Sequence, residues 1–369
     1  MASGREKMDS GALSGTFPCG RAATLGFSRP DSGSPLAEHT IAVFDRFAEE
    51  PDFGLTLAPL PEPGADEIRF KVAAFALNQA DLLLTQGRHF VKADLPIRLG
   101  YEGCGIVDAV GSDVTRVSLG DRIACIPNVD GPYWTAGEYA LAKQRFVVPW
   151  PDGWSSEQAA GVWMQYLTPY FPFVELFPVL PADWVMITAA SGGTGLGSIR
   201  VAKRLGARVI ATTRSAHKVK TLLEHGADVV LSTEQADFIP AVMKVTDGKG
   251  VRLIDDTLCG AYVAILAQTL HDKGILFVHG ALAGDNTLSL PVLTLVYRRA
   301  GIYGYSLINE LRRPGALERA RDWVLAAIAK GELPPPTIDS TFPFTEVRAA
   351  YDRMRAGTQT GKIIVHVGH

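Results

Sequence analysis

The sequence predicts a two-part α/β protein: a small irregular β-barrel unit and an inserted doubly wound parallel sheet of six strands. Three observations carry that expectation. The apolar run Trp184-Val185-Met186-Ile187 meets the turn Ser191-Gly192-Gly193-Thr194-Gly195-Leu196-Gly197 and continues into a helix-period segment through Leu205. Behind it, five further apolar segments alternate with helical intervals, the pattern of a parallel sheet covered on both faces. Ahead of it, from Thr40 to Val148, short alternating segments such as Ile68, Phe70 and Val72 are punctuated by Gly, Pro and Asp, as in an all-β unit.

At 369 residues the chain exceeds one usual core, so two domains are expected. A formal charge of −3 gives no electrostatic reason to bind nucleic acid. No apolar run approaches the roughly 18 residues a membrane helix needs, so no membrane partner is expected. The cysteines Cys19, Cys104, Cys125 and Cys259 are too scattered for a disulfide framework or a metal knuckle, which points to a reducing cytoplasm.

Residues 1–35 are rich in Gly, Ser, Ala and Arg without a helical or strand period, and read as a disordered lead. Glu6, Asp9 and Asp31 argue against an organellar transit peptide there. The β unit is densest from Gly100 to Val107, Val110-Gly111 and Gly120-Asp121-Arg122-Ile123, where frequent glycines beside β-branched residues imply tight strand corners. A helix from about Ser156 to Leu176 should bridge the two parts. After the opening strand, strands are expected at Val209 to Thr213, Val229 to Leu231, Val251 to Asp255, Ile275 to His279 and Ile302 to Tyr305, with helices around 199–205, 216–225, 239–246 and 261–270. A helix near 314–330 and a second with Val347, Ala350, Tyr351 and Met354 on one face lead to a last strand at Ile363 to Val367. A helix pair and one strand cannot bury their apolar faces unaided, so this end should return to the β unit.

The glycine turn is the first functional signal. Glycines let the backbone approach a pyrophosphate without a Cβ in the way, and the free N–H groups at a helix start offer donors to its oxygens, so a dinucleotide is implied. A site selective for NAD puts a carboxylate at the end of the second strand; here that place is Thr213, followed by Arg214, Ser215 and Lys218. Two cations there suit a 2′-phosphate, so NADPH is the expected cofactor.

Residues 40–369 resemble the medium-chain dehydrogenase/reductase superfamily through Gly100-Tyr101-Glu102-Gly103 with Gly105, Val107, Gly111 and Gly120-Asp121, through Ala189-Ala190-Ser191-Gly192-Gly193-Thr194-Gly195, and through Gly361-Lys362. Within it the chain looks like the zinc-independent quinone oxidoreductase branch, notably the alcohol-dehydrogenase-like bacterial chains with a Trp-Met-Gln-Tyr-Leu-Thr run, here Trp163 to Thr168. The resemblance implies a GroES-like catalytic domain from 36–163 and 306–369 and a Rossmann domain at 164–305, with the active cleft at their junction. It further implies cofactor contacts at Thr168, Ser191, Gly192, Gly193, Thr194 and Gly195, at Thr213, Arg214 and Lys218, at His279-Gly280, at Tyr305 and at Lys362, while Thr233 stands where relatives often carry an adenine-side tyrosine. Zinc-containing relatives place Cys where Asn78 stands and His where Tyr101 stands, and they carry four close cysteines that this chain lacks, so no metal is expected although Glu102 is kept.

Without a Lewis acid, conjugate hydride addition to an enone or quinone is easier than reduction of an isolated ketone, because the enolate spreads its own charge. Tyr101 is the expected donor to the substrate carbonyl, Asn78 a positioning residue, and Gln165 a further donor. His89 reads as a solvated loop residue, Cys104 as core, and Trp134, Tyr166 and Tyr170 as either pocket walls or packing. The expected activity is an NADPH-dependent, metal-free reduction of an activated C=C bond or a quinone of a small-molecule substrate, with reductive cyclisation of a polyene as a biosynthetic version. Alcohol/carbonyl interconversion and non-catalytic NADPH binding are the alternatives. A homodimer through the exposed edge of the sixth strand is expected.

Overall fold

The computed structural model describes residues 37–50, 53–89, 95–127, 135–284, 287–288 and 290–368, so the lead at 1–35, Cys19 and Trp134 lie outside the described residues. The β unit is built from both chain ends. Strand β3 (Glu67–Ala76) is its spine, with β5 (Glu102–Val110) on one side, β7 (Tyr139–Lys143) and β16 (Lys362–His366) on the other, β6 (Arg122–Cys125) and β8 (Val147–Pro149) beyond β5, and β15 (Ile338–Pro343) beyond β16. A three-stranded sheet of β1 (Glu38–Phe44), β2 (Gly54–Pro59) and β4 (Ile97–Arg98) closes it. Its interior holds Phe44, Ile68, Phe70, Phe75, Leu99 and Val107, and the expected face of α11 (Val347–Arg355), with Val347, Ala350, Tyr351 and Met354, packs into the same core. The chain end therefore returns to the β unit, as its exposed apolar faces required.

The second part is a six-stranded sheet, parallel throughout, in the order β11 (Val229–Leu231), β10 (Arg208–Thr212), β9 (Trp184–Ile187), β12 (Val251–Asp256), β13 (Leu270–Val278), β14 (Gly301–Gly304). The direction of winding reverses between β9 and β12, the crevice where ligands of such sheets collect. Helices α4 (Gly193–Arg204), α5 (Val219–Glu224), α6 (Phe238–Val245), α7 (Tyr262–Ala267) and α8 (Val292–Arg298) form the crossovers.

One helical expectation is corrected. The bridging helix is broken into α2 (Ser156–Ala160), α3 (Trp163–Tyr170) and a wider π turn, Phe171–Leu176. Gly161 ends the first piece, and Pro169 and Pro172 each remove an N–H from the ladder, so the 1–4 pattern cannot continue. The helix expected near 314–330 is found as α10 (Ala316–Ala329), which starts after a left-handed Gly315 with φ +71, and a further short helix, α9 (Leu307–Leu311), precedes it. Helices α2 and α3 lie at the junction, where one continuous core joins Ala74, Cys104 and Ile126 of the β unit through Trp163, Tyr166 and Phe171 to Val185, Ile187 and Leu196 of the sheet. The second face of the sheet buries Met186, Ile210, Ile254 and Leu276. Cys104, Cys125 and Cys259 are buried free thiols.

Candidate active site

The phosphate turn occupies the crevice. β9 ends at Ile187, the turn is anchored by Thr188 N donating to Asp255 O (3.0 Å) and Ala190 N donating to Thr212 O (3.2 Å), and α4 starts at Gly193 without a side-chain cap. An uncapped helix start over such a turn leaves N–H groups for an anion. Gly195 is obligatory for packing: a Cβ there would stand 2.6 Å from Ala190 Cα. The last strand reinforces the turn, since Gly361 N donates to Ser191 O (2.8 Å) and Gly192 bridges to Gly361.

At the end of β10, Thr213 Oγ1 accepts from Ser215 N (3.2 Å) and Arg214 projects into solvent. Lys218 is buried and donates to Ser191 Oγ (3.2 Å) and to Gln359 O (2.7 Å). Burial, with Arg353 and Arg214 nearby, draws its ammonium below the usual lysine range, and Asp339 opposes this. Arg214 is thus the open cation of the pair.

The His279 side chain turns inward. Its Nε2 lies 2.7 Å from Asp255 Oδ1, whose Oδ2 accepts from Ser198 Oγ (2.6 Å). Burial resists its protonation, but Asp255 and then Asp256 outweigh that and raise its pKa. Tyr305 stands edge-on to it at 5.9 Å, its buried hydroxyl without a partner. Gly280 must lack a side chain, because a Cβ would come within 2.8 Å of Thr257 O. Thr168 Oγ1 donates to Met164 O within α3 (2.7 Å).

Across the crevice lies a buried polar cluster. Glu102, at the start of β5, has no exposed surface; it accepts from Lys362 Nζ (2.6 Å), Met164 N (2.9 Å) and Asn78 Nδ2 (3.2 Å). Asn78 precedes α1 (Gln79–Thr85); its Oδ1 accepts from Lys362 Nζ (2.8 Å) and its Nδ2 also reaches Ala76 O (3.3 Å). Its amide is therefore saturated within the protein and positions its neighbours. The Lys362 ammonium is held by Glu102 and Asn78, and its aliphatic stem lies on the phosphate turn, where a Cβ on Gly193 would meet Cδ at 2.4 Å.

Tyr101, half-buried beside Glu102, makes no side-chain hydrogen bond among the described residues, and its phenol is pushed up by burial and by Asp81. His89 lies near it, ring centroids 6.5 Å apart, and the adjoining Arg88 Nη2 donates to Gly284 O across the two parts (2.7 Å). Gln165 does not join this group. It packs on Gly197, where a Cβ would lie 2.1 Å from Gln165 O, and its side chain lines a separate cavity of about 80 Å³ with Arg200, His225 and Thr337. The close approach of α3 to α4 turns that face of α3 away from Tyr101, so Gln165 is withdrawn as a donor. Tyr166, bonded to Pro334 O (2.6 Å), and Tyr170, bonded to Glu175 (3.0 Å), are packing residues.

Sequence reasoning missed Asp81 and Asp255. Asp81 had a signal, an acid three residues after Asn78 at a helix start, the reciprocal cap pattern.

Residues 64–168 match the alcohol dehydrogenase GroES-like domain and residues 193–324 the zinc-binding dehydrogenase family. A quinone oxidoreductase of Pseudomonas aeruginosa is 28% identical over 82% of this chain and 92% of its own length. A mycobacterial protein solved in complex with NADPH superimposes with a TM-score of 0.79 at 27% identity, over 90% of this chain and 100% of that one. The ER cyclopropanase from the curacin A biosynthetic pathway gives a TM-score of 0.77 at 25% identity, over 90% and 99%. The zinc in one family description does not fit the donor set here. Glu102 already carries an ammonium, Asn78 is saturated, Tyr101 is a neutral phenol, and among the described residues no three His, Cys, Asp or Glu converge.

Proposed function

Because the chain belongs to the medium-chain dehydrogenase/reductase superfamily, carrying both its GroES-like and its nucleotide-binding domain, we propose that it is an NADPH-dependent reductase of activated C=C bonds or quinones that works without a metal. The observation that supports this reading is the Lys362–Glu102–Asn78 cluster: Glu102 and Asn78, at positions that correspond to the zinc-ligand region of zinc-containing relatives, are committed to an ammonium, with Tyr101 beside them as the candidate donor. The NADPH-bound neighbour and the quinone oxidoreductase relative support the cofactor and the reaction class, and the ER cyclopropanase, from a biosynthetic pathway, supports the ring-closing version.

The cofactor would lie with its pyrophosphate against the N–H groups of Gly193, Thr194 and Gly195 and its 2′-phosphate against Arg214, Lys218 and Thr213. When bound, NADPH supplies a hydride. Tyr101 donates its hydroxyl proton towards the substrate carbonyl, where negative charge develops. Asn78 and Lys362 act through placement, holding Glu102 and hence the start of β5 against α3. Isolated ketones gain too little from one phenol, whereas an enone or quinone delocalises the charge and asks less of the protein.

The homodimer is part of the same proposal. Strand β14 is the sheet edge, and α8 beside it shows Leu293, Val296 and Tyr297 to solvent. The test of the reaction is NADPH oxidation with 2-cyclohexen-1-one and 1,4-benzoquinone after exhaustive chelation, alongside Tyr101→Phe. Turnover should survive chelation and fall with the variant. A strict zinc requirement, or oxidation of the saturated alcohol with NADP⁺ in preference to enone reduction, refutes the reading.

A further inference from the structure

The cavity of about 80 Å³ beside Gln165 takes no part in the reaction described above. Gln165 on α3, Leu196 and Arg200 on α4 and His225 at the end of α5 form one wall; Pro334, Pro335 and Thr337, ahead of β15, form the other. Leu196 and Arg200 lie about one and two helical turns along α4 from the phosphate turn. The second wall adjoins the last strand. Thr337 O accepts from Lys362 N (2.9 Å), and Gly361, which donates to Ser191 O, packs so closely that a Cβ on it would stand 2.2 Å from Thr337 O.

Most polar groups of the lining are spent on one another. His225 has Nδ1 2.7 Å from Thr221 O and Nε2 2.7 Å from Thr337 Oγ1. The Tyr166 hydroxyl donates to Pro334 O (2.6 Å) and also bonds the Gln165 side chain. Because that hydroxyl gives its only hydrogen to Pro334, the Gln165 amide nitrogen is the donor to it. Gln165 Oε1, on a residue 2% exposed, is left buried without a partner. Arg200 Nε is buried and unpartnered too, and among the described residues no hydrogen bond or ion pair ends on its guanidinium.

The cavity thus offers a cationic fork of donors and one bare acceptor, and no Asp or Glu lines it. A guanidinium drawn from water requires a counter-charge, for which an oxyanion has the matching shape, while a buried carbonyl oxygen requires a donor. Water supplies the second but not the first. An oxyanion that still carries a hydrogen supplies both, and a space equal to about two to three waters admits one of about four or five non-hydrogen atoms.

We propose that this cavity binds a small protonated oxyanion, hydrogen phosphate or bicarbonate, whose oxygens take the Arg200 fork and whose O–H donates to Gln165 Oε1. None of the lining residues belongs to the phosphate turn or to the 213–218 segment, so the site is separate from the nucleotide's own phosphate contacts. The bound anion ties α3 and α4 to the segment behind Gly361, and so holds the last wall of the nucleotide cradle in place.

Titration calorimetry on the NADPH-saturated protein, whose nucleotide already fills its own anion contacts, tests this with phosphate, bicarbonate and sulfate in separate arms at neutral pH and constant ionic strength. Phosphate or bicarbonate should bind one per chain, and the arm that does so names the source. Sulfate has the shape of phosphate but no hydrogen to give, and should bind at least about 10-fold more weakly than phosphate; equal affinity overturns the assignment. Arg200→Met should weaken binding roughly 10- to 100-fold and Gln165→Leu roughly 10-fold, with melting of each variant measured in parallel. A wild type that binds neither anion, its cavity holding water only, overturns the inference whether or not a variant folds. Binding that Arg200→Met leaves unchanged does the same. NADPH release, followed by its fluorescence after a chase with excess NADP⁺, should slow about 5-fold when the anion is bound, and an unchanged rate refutes the tie to the cradle.

Discussion

The Lys362–Glu102 pair makes a quantitative prediction. The two charges lie 2.6 Å apart with side-chain exposures of 5% and 0%. At an effective dielectric of about 20 their attraction is about 6 kcal/mol, most of which offsets the loss of hydration. Removing one partner forfeits the attraction but keeps the other charge buried, which costs about 3–5 kcal/mol. Lys362→Met leaves Glu102 with only Met164 N and Asn78 Nδ2, so it should lose about 4 kcal/mol. Glu102→Gln leaves the ammonium on Asn78 Oδ1 and a new amide oxygen, and should lose about 3 kcal/mol. The double variant removes both charges and should lose only about 2 kcal/mol, a coupling of about 5 kcal/mol. Urea unfolding followed by tryptophan fluorescence measures all four proteins. Single losses below about 1 kcal/mol, or additive ones, would show that the ammonium is not committed to Glu102 and would remove the argument against an ion at this place.

Three further predictions use the same molecule. Arg214→Ala should raise the KM for NADPH about 10- to 100-fold with little change for NADH, the loss of one charge-assisted phosphate contact; Lys218→Ala adds to this but also loosens the turn through Ser191 and Gln359, and steady-state kinetics showing equal effects on both cofactors would reject the 2′-phosphate assignment. Because Asp81 holds a proton in the folded chain up to about pH 7 that the unfolded chain releases near pH 4, wild-type stability should decline as pH rises through that window. The decline is about 2–4 kcal/mol and Asp81→Asn should abolish it in parallel denaturant titrations; a flat wild-type curve contradicts the burial argument. Light scattering should report twice the 39.7 kDa chain mass, and Tyr297→Asp on α8 should return it to one, whereas a monomeric wild type at all concentrations refutes pairing through the sheet edge.

Local pattern carried most of the architecture. The Ile68, Phe70, Val72 alternation of β3, the glycine-dense β5 and the strand–turn–helix at Trp184–Arg204 are visible because each is a local pattern of the sequence. The break in the bridging helix follows from Gly161, Pro169 and Pro172, which a periodicity of apolar residues passes over. The site was less legible, because side-chain direction is settled by packing. Gln165 was expected beside Tyr101, and only the contact of α3 with Gly197 shows which way it faces. Lys362 was expected on the cofactor, yet its amine answers to residues 284 and 260 positions away, Asn78 and Glu102, whose need for a cation no local pattern records. His279 was placed correctly at the end of β13, but its partner Asp255 comes from the neighbouring strand.

The staple between Gly361 and the Ser191–Gly192 backbone, with Gln359 bound to Lys218, has a consequence for biosynthesis. The phosphate turn acquires its final wall only when Gln359 and Gly361 have been made and docked, long after the strands of the parallel sheet. A chain cut short before them keeps those strands but lacks the finished nucleotide cradle.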